Sequence, residues 1–455
     1  MKNISKEIKG LRIEKHALGG YGLGFEEGLA IFVPYAHPGD VVDVKLTKSR
    51  KDHAFAEVQS YLSRGEPVPD ELCPSFGPQQ ACGGCDWQDL SYASQLKYKL
   101  ELLQELFRGK GMQAVPEVIH PSPLEFHYRN KVFMPVAQRE AGLSFGIYKP
   151  GTHQVVTHAQ CRIHPPVFDH LAARVIELCE KAKVTAYDED AHTGQLRHIG
   201  IRISKDESQL LLILVTRSAK LPFSGLLVKK LTAEYPELVG IVQNINREVT
   251  NVILGDEEKL LYGQPYLMDE LVDMQFRVHY QSFWQANSRV AELLVKQIRS
   301  QVDEGCTLID AYSGSGSIGS VCADKTRQTI CIENNPAATE DAENNAQLNG
   351  VENISFINAD CAKALPDLVG EMQSEVTKLN VVLDPPRTGA QREVLEAIIA
   401  SPATKVIYMS CYPITLVRDL QILCNEGGFQ LKSAEAFDMF PQTWHIESLA
   451  VLERS

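Results

Sequence analysis

The sequence predicts a three-part α/β protein: a small N-terminal β-barrel over 1–60, a central α+β domain over 61–280 and a doubly wound, parallel-sheet domain over 281–455. Three observations predict it. Turn signals break the first stretch into β-like runs about 8–12 residues apart, the rhythm of a small barrel. From about 281 onward, short apolar strands alternate with helical segments, the rhythm of a parallel sheet. The length of 455 residues also accommodates three domains of ordinary size.

In the barrel, Gly19–Gly24 is turn-rich, Leu29–Val33 ends at Pro34, and Val41–Leu46 follows Pro38-Gly39-Asp40. Ala54–Val58 is the last strand, and Lys45, Lys48, Arg50 and Lys51 make a basic spot. Residues 61–86 hold prolines and clustered cysteines. Leu96, Leu100, Leu103 and Phe107 recur at helical spacing and predict a helix over 88–110. The segment near 88–118 is expected to pack with the C-terminal domain. In the central domain Lys131–Ala137, Leu143–Tyr148, Ile199–Ser204, Leu210–Thr216 and Gly240–Asn244 are β-like. In the C-terminal domain the strands are Thr307–Ala311, Thr329–Glu333, Ile354–Asn358, Asn380–Leu383 and Lys405–Met409, with a helix over 336–349.

The net charge of −13 argues against a phosphate-rich partner when taken as an average. The charge is unevenly distributed, because residues 301–455 carry 10 Lys and Arg against 22 Asp and Glu. The first two thirds are near neutral and free to grip nucleic acid. Leu210–Val215, the longest apolar run, is far short of the roughly 20 residues of a membrane span. The start MKNISKEIKG lacks an apolar leader, so the expectation is a cytoplasmic protein with no membrane partner.

Six stretches carry chemistry. Asp310-Ala311-Tyr312-Ser313-Gly314-Ser315-Gly316-Ser317-Ile318-Gly319 follows a strand and opens a helix, and Glu333 ends the next strand. Glycines there let backbone approach a ligand, and the acid suits two ribose hydroxyls. The D-x-x-x-G-x-G spacing favours S-adenosylmethionine, which has no pyrophosphate, over a dinucleotide. Asp360, after the third strand, is placed to meet the adenine. Asp384-Pro385-Pro386-Arg387-Thr388-Gly389 and Met409-Ser410-Cys411-Tyr412-Pro413 also lie at strand ends, where such sheets bind ligands. Cys411 is a candidate nucleophile. Asp438–Glu447 supplies two candidate bases, Glu447 and His445.

The fifth stretch, Cys73-x8-Cys82-x2-Cys85 with Cys161 far downstream, is a three-plus-one set. It favours an iron–sulfur cluster over zinc, whose sites usually show two close pairs. His164 offers a replacement ligand. The sixth, Ser282-Phe283-Trp284-Gln285-Ala286-Asn287, brings an amide and aromatics before the nucleotide-binding strand. In addition, Phe126–Lys131 combines aromatics with cations, as single-strand binders do.

Together these motifs resemble the S-adenosylmethionine-dependent RNA (uracil-C5)-methyltransferases, in order and from end to end. The resemblance implies a Rossmann-like class I methyltransferase domain, an N-terminal TRAM barrel of oligonucleotide-binding type, and a [4Fe-4S] cluster on Cys73, Cys82, Cys85 and Cys161. It implies that Cys411 is the nucleophile and Glu447 the base. It further implies that Gln285, Tyr312, Gly314, Glu333, Asp360 and Asp384 serve the S-adenosyl-L-methionine site. The chain departs from many members in the eight residues between Cys73 and Cys82 and in Ser313, where cysteine is common. TRAM plus cluster looks most like the branch acting on large-subunit (23S) ribosomal RNA, at a single-stranded or loop uridine. The transfer-RNA branch often lacks both features. Alternatives are a transfer-RNA uridine-C5 enzyme, a cytosine-C5 or amino-group methyltransferase, and a non-catalytic RNA-binding factor.

Overall fold

The computed structural model describes residues 6–158, 160–221, 223–372 and 378–454. The first five residues of the expected barrel and the terminal Ser455 lie outside that set. Five strands, Glu7–Ala17, Tyr21–Glu26, Leu29–Val33, Val41–Ser49 and His53–Ser63, close into a barrel in which Leu29–Val33 pairs with His53–Ser63. Alternate side chains point inward: Ile31 and Val33, Val42, Val44 and Leu46, and Ala54 and Ala56 fill the interior.

The central sheet has seven strands, and both its faces are covered. Helices Pro166–Lys181 and Ser224–Glu234 pack on one side through Phe168, Leu171, Leu227 and Leu231. On the other, Leu211, Ile213 and Val215 meet Tyr280, Trp284 and Val290 of the C-terminal part. A strand buried on both faces has no polar side. Leu210–Thr216 therefore reads as an unbroken apolar run rather than an alternation.

The C-terminal sheet has eight strands. Thr307–Ala311 lies at its centre. Gln328–Glu333 and then Ile354–Asn358 run parallel on one side, and Leu379–Leu383 and then Ala403–Ser410 on the other. The expected parallel sheet takes an antiparallel strand at this second edge. Glu447–Glu453 inserts antiparallel between Ala403–Ser410 and Gln430–Phe437, because the chain doubles back through the short 438–446 connection instead of crossing over by a helix. Ile119–His120, far upstream, adds to the outer edge beside Ala436 and Phe437.

Helix Tyr92–Gly109 belongs to the same body, since Leu103 and Phe107 enter the core of this sheet. On that helix Lys99 is fully buried, and its Nζ donates to Asp438 Oδ1 at 2.5 Å and to the Phe440 carbonyl at 3.0 Å. Burial pushes the Lys99 ammonium down and the Asp438 carboxylate opposes that. Removing one partner strands the other charge in the interior. Lys99→Met is expected to destabilise the fold by about 3–5 kcal/mol, and Lys99→Met with Asp438→Leu to recover most of it. Thermal melts of the two variants check this; an equal loss in both would contradict it.

Candidate active site

The parallel register aligns Thr307–Ala311 with Gln328–Glu333 and with Leu379–Leu383, so Tyr312, Glu333 and Asp384 emerge at one edge. Cys411 emerges there too, one residue beyond Ala403–Ser410. The antiparallel pairing of Ser410 with Ser448 sets Glu447 beside it. Four strand ends and one strand start thus converge, although they are up to 135 residues apart in sequence.

The glycine turn is tightly built. Tyr312 adopts φ +65°, and Gly314 and Gly316 follow at +54° and +72°. A non-glycine residue in that region costs about 1 kcal/mol, which the surrounding packing of Tyr312 sustains. A Cβ on Gly319 would lie 2.5 Å from Cys331 Sγ and 3.1 Å from Asp310 Oδ2, so only glycine lets the helix start this close to the strand. Glu333 bridges the turn: its Oε2 accepts from Gly314 N at 2.9 Å and its Oε1 from Asn335 N at 2.8 Å. Gln285, Tyr312, Gly314 and Asp384 line a common cleft with Phe283 and Met409. Asn130 Nδ2 holds the Gln285 carbonyl at 2.8 Å, tying the central domain to that wall. Asp360 stands at the next strand end, where its Oδ1 accepts from Ala362 N at 2.9 Å at the start of helix Cys361–Met372.

Asp310 is fully buried below the turn. Its Oδ2 accepts from Gly319 N at 2.8 Å, while Oδ1 has no partner. Burial, and then the Glu333 charge, push its carboxyl up to about 7. The folded state therefore holds a proton that the unfolded chain releases near pH 4. Stability contributed by this group is present below that value, falls as pH rises to about 7, and then levels off. Asp310→Asn is expected to flatten this decline, a difference on the order of a few kcal/mol. Melting temperatures of wild type and variant between pH 4 and 8 check it; parallel curves would contradict it.

Around Cys411 the charges are unusual. Glu447 is 2% exposed and its Oε1 has no hydrogen-bond partner. Burial first, and the Asp384 carboxylate second, hold its carboxyl well above the ordinary range. Asp384 itself is pushed up to about 7 by burial and by Asp310. Burial, Glu447 and Asp384 push the Cys411 thiol up to about 11, and the nearby Arg387 guanidinium pulls the other way. Arg387 went unassigned in the sequence, although it stands in the Asp-Pro-Pro loop. His445 is pushed down to about 4 by burial and by Arg387, Lys99 and Arg129, so it is a neutral imidazole packed at a tilt against Trp444, with ring centroids 4.5 Å apart. Of the two candidate bases, Glu447 is the one facing the thiol.

The segment before Glu447 is clamped. Gln442 takes φ +69°, and its carbonyl accepts from both Asp86 N and Trp87 N at 3.0 Å. Gln95 exchanges two amide hydrogen bonds with it, and Tyr128 donates to the Pro441 carbonyl. The cysteine loop is thus a direct support of the 438–447 segment.

Cys73, Cys82 and Cys85 lie in that loop, and Cys161 is near enough to Cys82 and Cys85 for their charges to influence one another. Cys73 N donates to Gln88 Oε1, Gln88 Nε2 reaches Cys85 Sγ at 3.6 Å, and Cys82 N donates to the Ser75 carbonyl. All four thiols are free. Burial raises Cys85, and the charges of Cys161, Cys82 and Cys73 raise it further. Cys161 is pushed up to about 12 by burial, with Asp169 and Cys82 adding to it. His164 and His158 lie close to Cys161, but His164 Nε2 pairs with Asp169 Oδ1 at 3.0 Å. No helix among the described residues is long and apolar enough to cross a membrane.

Residues 91–455 match the tRNA (uracil-5-)-methyltransferase family and residues 12–59 the TRAM domain. Over 454 residues the chain is 34% identical to an uncharacterized RNA methyltransferase of Halalkalibacterium halodurans, covering 98% of this chain and 97% of that one. It is 35% identical over 456 residues to another from Listeria innocua, with 99% and 98% covered. The structure of Pyrococcus abyssi tRNA (uracil-54, C5)-methyltransferase in complex with S-adenosyl-L-homocysteine is similar at a TM-score of 0.78 and 25% identity, over 98% of this chain and 100% of that one. A family match over most of the chain, on a site that sets a thiol and a carboxylate beside a nucleotide-type cleft, leads to one conclusion: the chain belongs to the tRNA (uracil-5-)-methyltransferase family, as an S-adenosylmethionine-dependent RNA (uracil-C5)-methyltransferase with an N-terminal TRAM barrel.

Proposed function

We propose that this enzyme methylates C5 of a single-stranded or loop uridine in large-subunit (23S) ribosomal RNA, through a covalent bond between Cys411 and C6. The single observation that carries the chemistry is the juxtaposition of Cys411 with Glu447 and Asp384 at one sheet edge. S-adenosylmethionine bound by Gln285, Tyr312, Gly314, Glu333, Asp360 and Asp384 supplies an electrophilic methyl group. Uracil C5 is too weak a nucleophile to take it unaided. Addition of the Cys411 thiolate to C6 pushes electron density into an enolate and makes C5 nucleophilic. C5 would take the methyl group as the methyl–sulfur bond breaks and S-adenosylhomocysteine leaves; Glu447 then removes the C5 proton, and elimination frees Cys411. Arg387 eases thiolate formation by its positive charge. A base stacked in a helix is inaccessible on both faces, so the uridine flips into the pocket.

The donor set fits a [4Fe-4S] cluster. Four free, converging thiols disfavour one another's ionisation, and a cationic iron core relieves that repulsion. Cys73, Cys82, Cys85 and Cys161 would hold it, bracing the loop that supports Gln442. Anaerobic purification should give a brown protein containing iron; a colourless, zinc-bearing protein would overturn this part.

The TRAM barrel together with the four cysteines supports ribosomal RNA as the target. The end-to-end likeness to the Pyrococcus abyssi transfer-RNA enzyme favours transfer RNA as a second reading. Mapping 5-methyluridine in both RNAs from cells lacking the gene decides between them. Loss of a 23S site supports the proposal, and loss confined to transfer RNA supports the second reading.

A further inference from the structure

We propose that Asp419 is a positioning residue for the reaction: from helix Pro413–Gly427 it holds the loop after Asp384 so that the Arg387 guanidinium stays beside the Cys411 thiol. This rests on the reading of Cys411 as the nucleophile. Arg418 and Asp419 follow Thr415 by three and four positions, so all three share one face of the helix. Asp419 is fully buried, and both its oxygens are used. Oδ2 accepts from Ala390 N at 2.9 Å and from the Tyr408 hydroxyl at 2.6 Å, and Oδ1 accepts from Arg418 Nε at 2.8 Å. Arg418 Nη2 in turn donates to the Thr388 carbonyl at 3.0 Å, and Thr415 Oγ1 to the Arg387 carbonyl at 3.1 Å.

The loop does not place itself. Pro385 and Pro386 have no N–H to give, and the bond from Gly389 N to the Pro386 carbonyl at 2.8 Å closes the turn without fixing where it points. Asp384 directly follows strand Leu379–Leu383, so the sheet places it. Arg387 lies beyond both prolines, and its placement falls to the backbone of 387–390, which bonds to Tyr408 and to the helix. The grip is close. A Cβ on Gly389, which sits at φ +80°, would lie 2.5 Å from Arg418 Nη2 and 2.6 Å from Asp419 Oδ2. Tyr408 precedes Cys411 by three residues, and the helix starts two residues after it. The two elements that present the thiol therefore also hold the loop that presents the guanidinium.

The charged groups facing the thiol are Glu447, Asp384 and Arg387. Burial, Glu447 and Asp384 raise its proton affinity, and Arg387 lowers it. Glu447 and Asp384 are set by strands, whereas Arg387 is set by the loop. The balance at the thiol therefore depends on Asp419, although the acid acts through Arg387 and not on the thiol itself. A carboxylate suits this place because it accepts on both oxygens at once. An amide would turn its NH2 either toward Arg418 or toward the Ala390 and Tyr408 donors, and one side of the grip would open.

The test reads the thiol directly, in the full-length protein and without RNA. Alkylation of Cys411 by iodoacetamide is followed against pH by mass spectrometry of the peptide that carries it. Asp419→Asn is expected to alkylate about tenfold more slowly at each pH below the thiol's own, a displacement of the profile by about one pH unit to the alkaline side. Arg387→Ala should do the same, and the double variant should match Arg387→Ala alone. Thr415→Val and Tyr408→Phe each remove one hydroxyl and keep the shape. They should displace the profile in the same direction by less, and they carry the test if Asp419→Asn does not fold. Wild-type profiles in the variants that fold would overturn the proposal, as would fully additive losses in the double variant. Capture of 5-fluorouridine RNA separates this from the functional reading. If the alkylation profiles shift as expected but the wild type captures no RNA, Cys411 falls as the nucleophile and the positioning of Arg387 by Asp419 stands.

Discussion

Cys411→Ala is expected to abolish covalent capture of RNA containing 5-fluorouridine, and to lower methyl transfer by about 10⁴-fold or more, the scale on which loss of a covalent nucleophile is felt. Fluorine at C5 cannot leave as a proton does, so wild type should stall with RNA bonded to the protein after methyl transfer. The adduct is read as a band resistant to denaturation and mapped to the Cys411 peptide by mass spectrometry. The site also predicts how capture depends on pH. The thiol is held near 11 by burial, Glu447 and Asp384, so the thiolate fraction rises with pH through the neutral and alkaline range. Capture should quicken accordingly, and Arg387→Ala, which removes the one group opposing that shift, should slow it at every pH below the thiol's own. A persistent adduct in Cys411→Ala would assign the nucleophile elsewhere.

Glu447→Gln is expected to do the opposite to the adduct. Addition and methyl transfer need the thiol, but release needs loss of the C5 proton. The variant should therefore accumulate adduct with ordinary uridine RNA while turnover falls by about 10²–10⁴-fold. The isosteric amide keeps the packing at this fully buried position, which separates loss of the base from loss of the fold. Burial and the Asp384 charge give Glu447 its high proton affinity. A carboxylate with such affinity is poorly populated but strongly basic, suited to removing a carbon-bound proton. Normal turnover in the variant, with no trapped intermediate, would remove Glu447 from this role.

Much of this was legible in the sequence because strand ends announce themselves. Asp310–Gly319, Glu333, Asp384 and Cys411 each follow a short apolar run, and in a doubly wound sheet all such ends face one way. Long-range pairing was not legible. Nothing local says that Glu447–Glu453 runs antiparallel beside Ala403–Ser410, yet that register is what brings Glu447 to Cys411. Nor does a two-residue strand at Ile119–His120 have a periodicity to read. No local pattern marks Lys99 for burial, and only Asp438, 339 positions away, makes its burial tolerable.

The cysteine loop links these levels. Asp86 and Trp87 follow Cys85 directly, and both donate to Gln442 in its left-handed turn. Trp87 is fully buried, its Nε1 donates to the Gly20 carbonyl of the barrel, and its ring packs on His16 at 4.6 Å. Barrel, cysteine loop and catalytic segment thus share one packed junction. Disturbing the cysteines is expected to reach the active site through Gln442 rather than through the chemistry itself.

Methyl transfer to C5 of uridine in RNA by covalent activation has a distinctive signature in tritium release. RNA transcribed with uridine tritiated at C5 is incubated with the enzyme and S-adenosylmethionine, and both methyl incorporation and tritium released to water are counted. One tritium is expected to be released for each methyl added, with both lost in Cys411→Ala. Methyl incorporation without tritium release would place the methyl on another atom and contradict it.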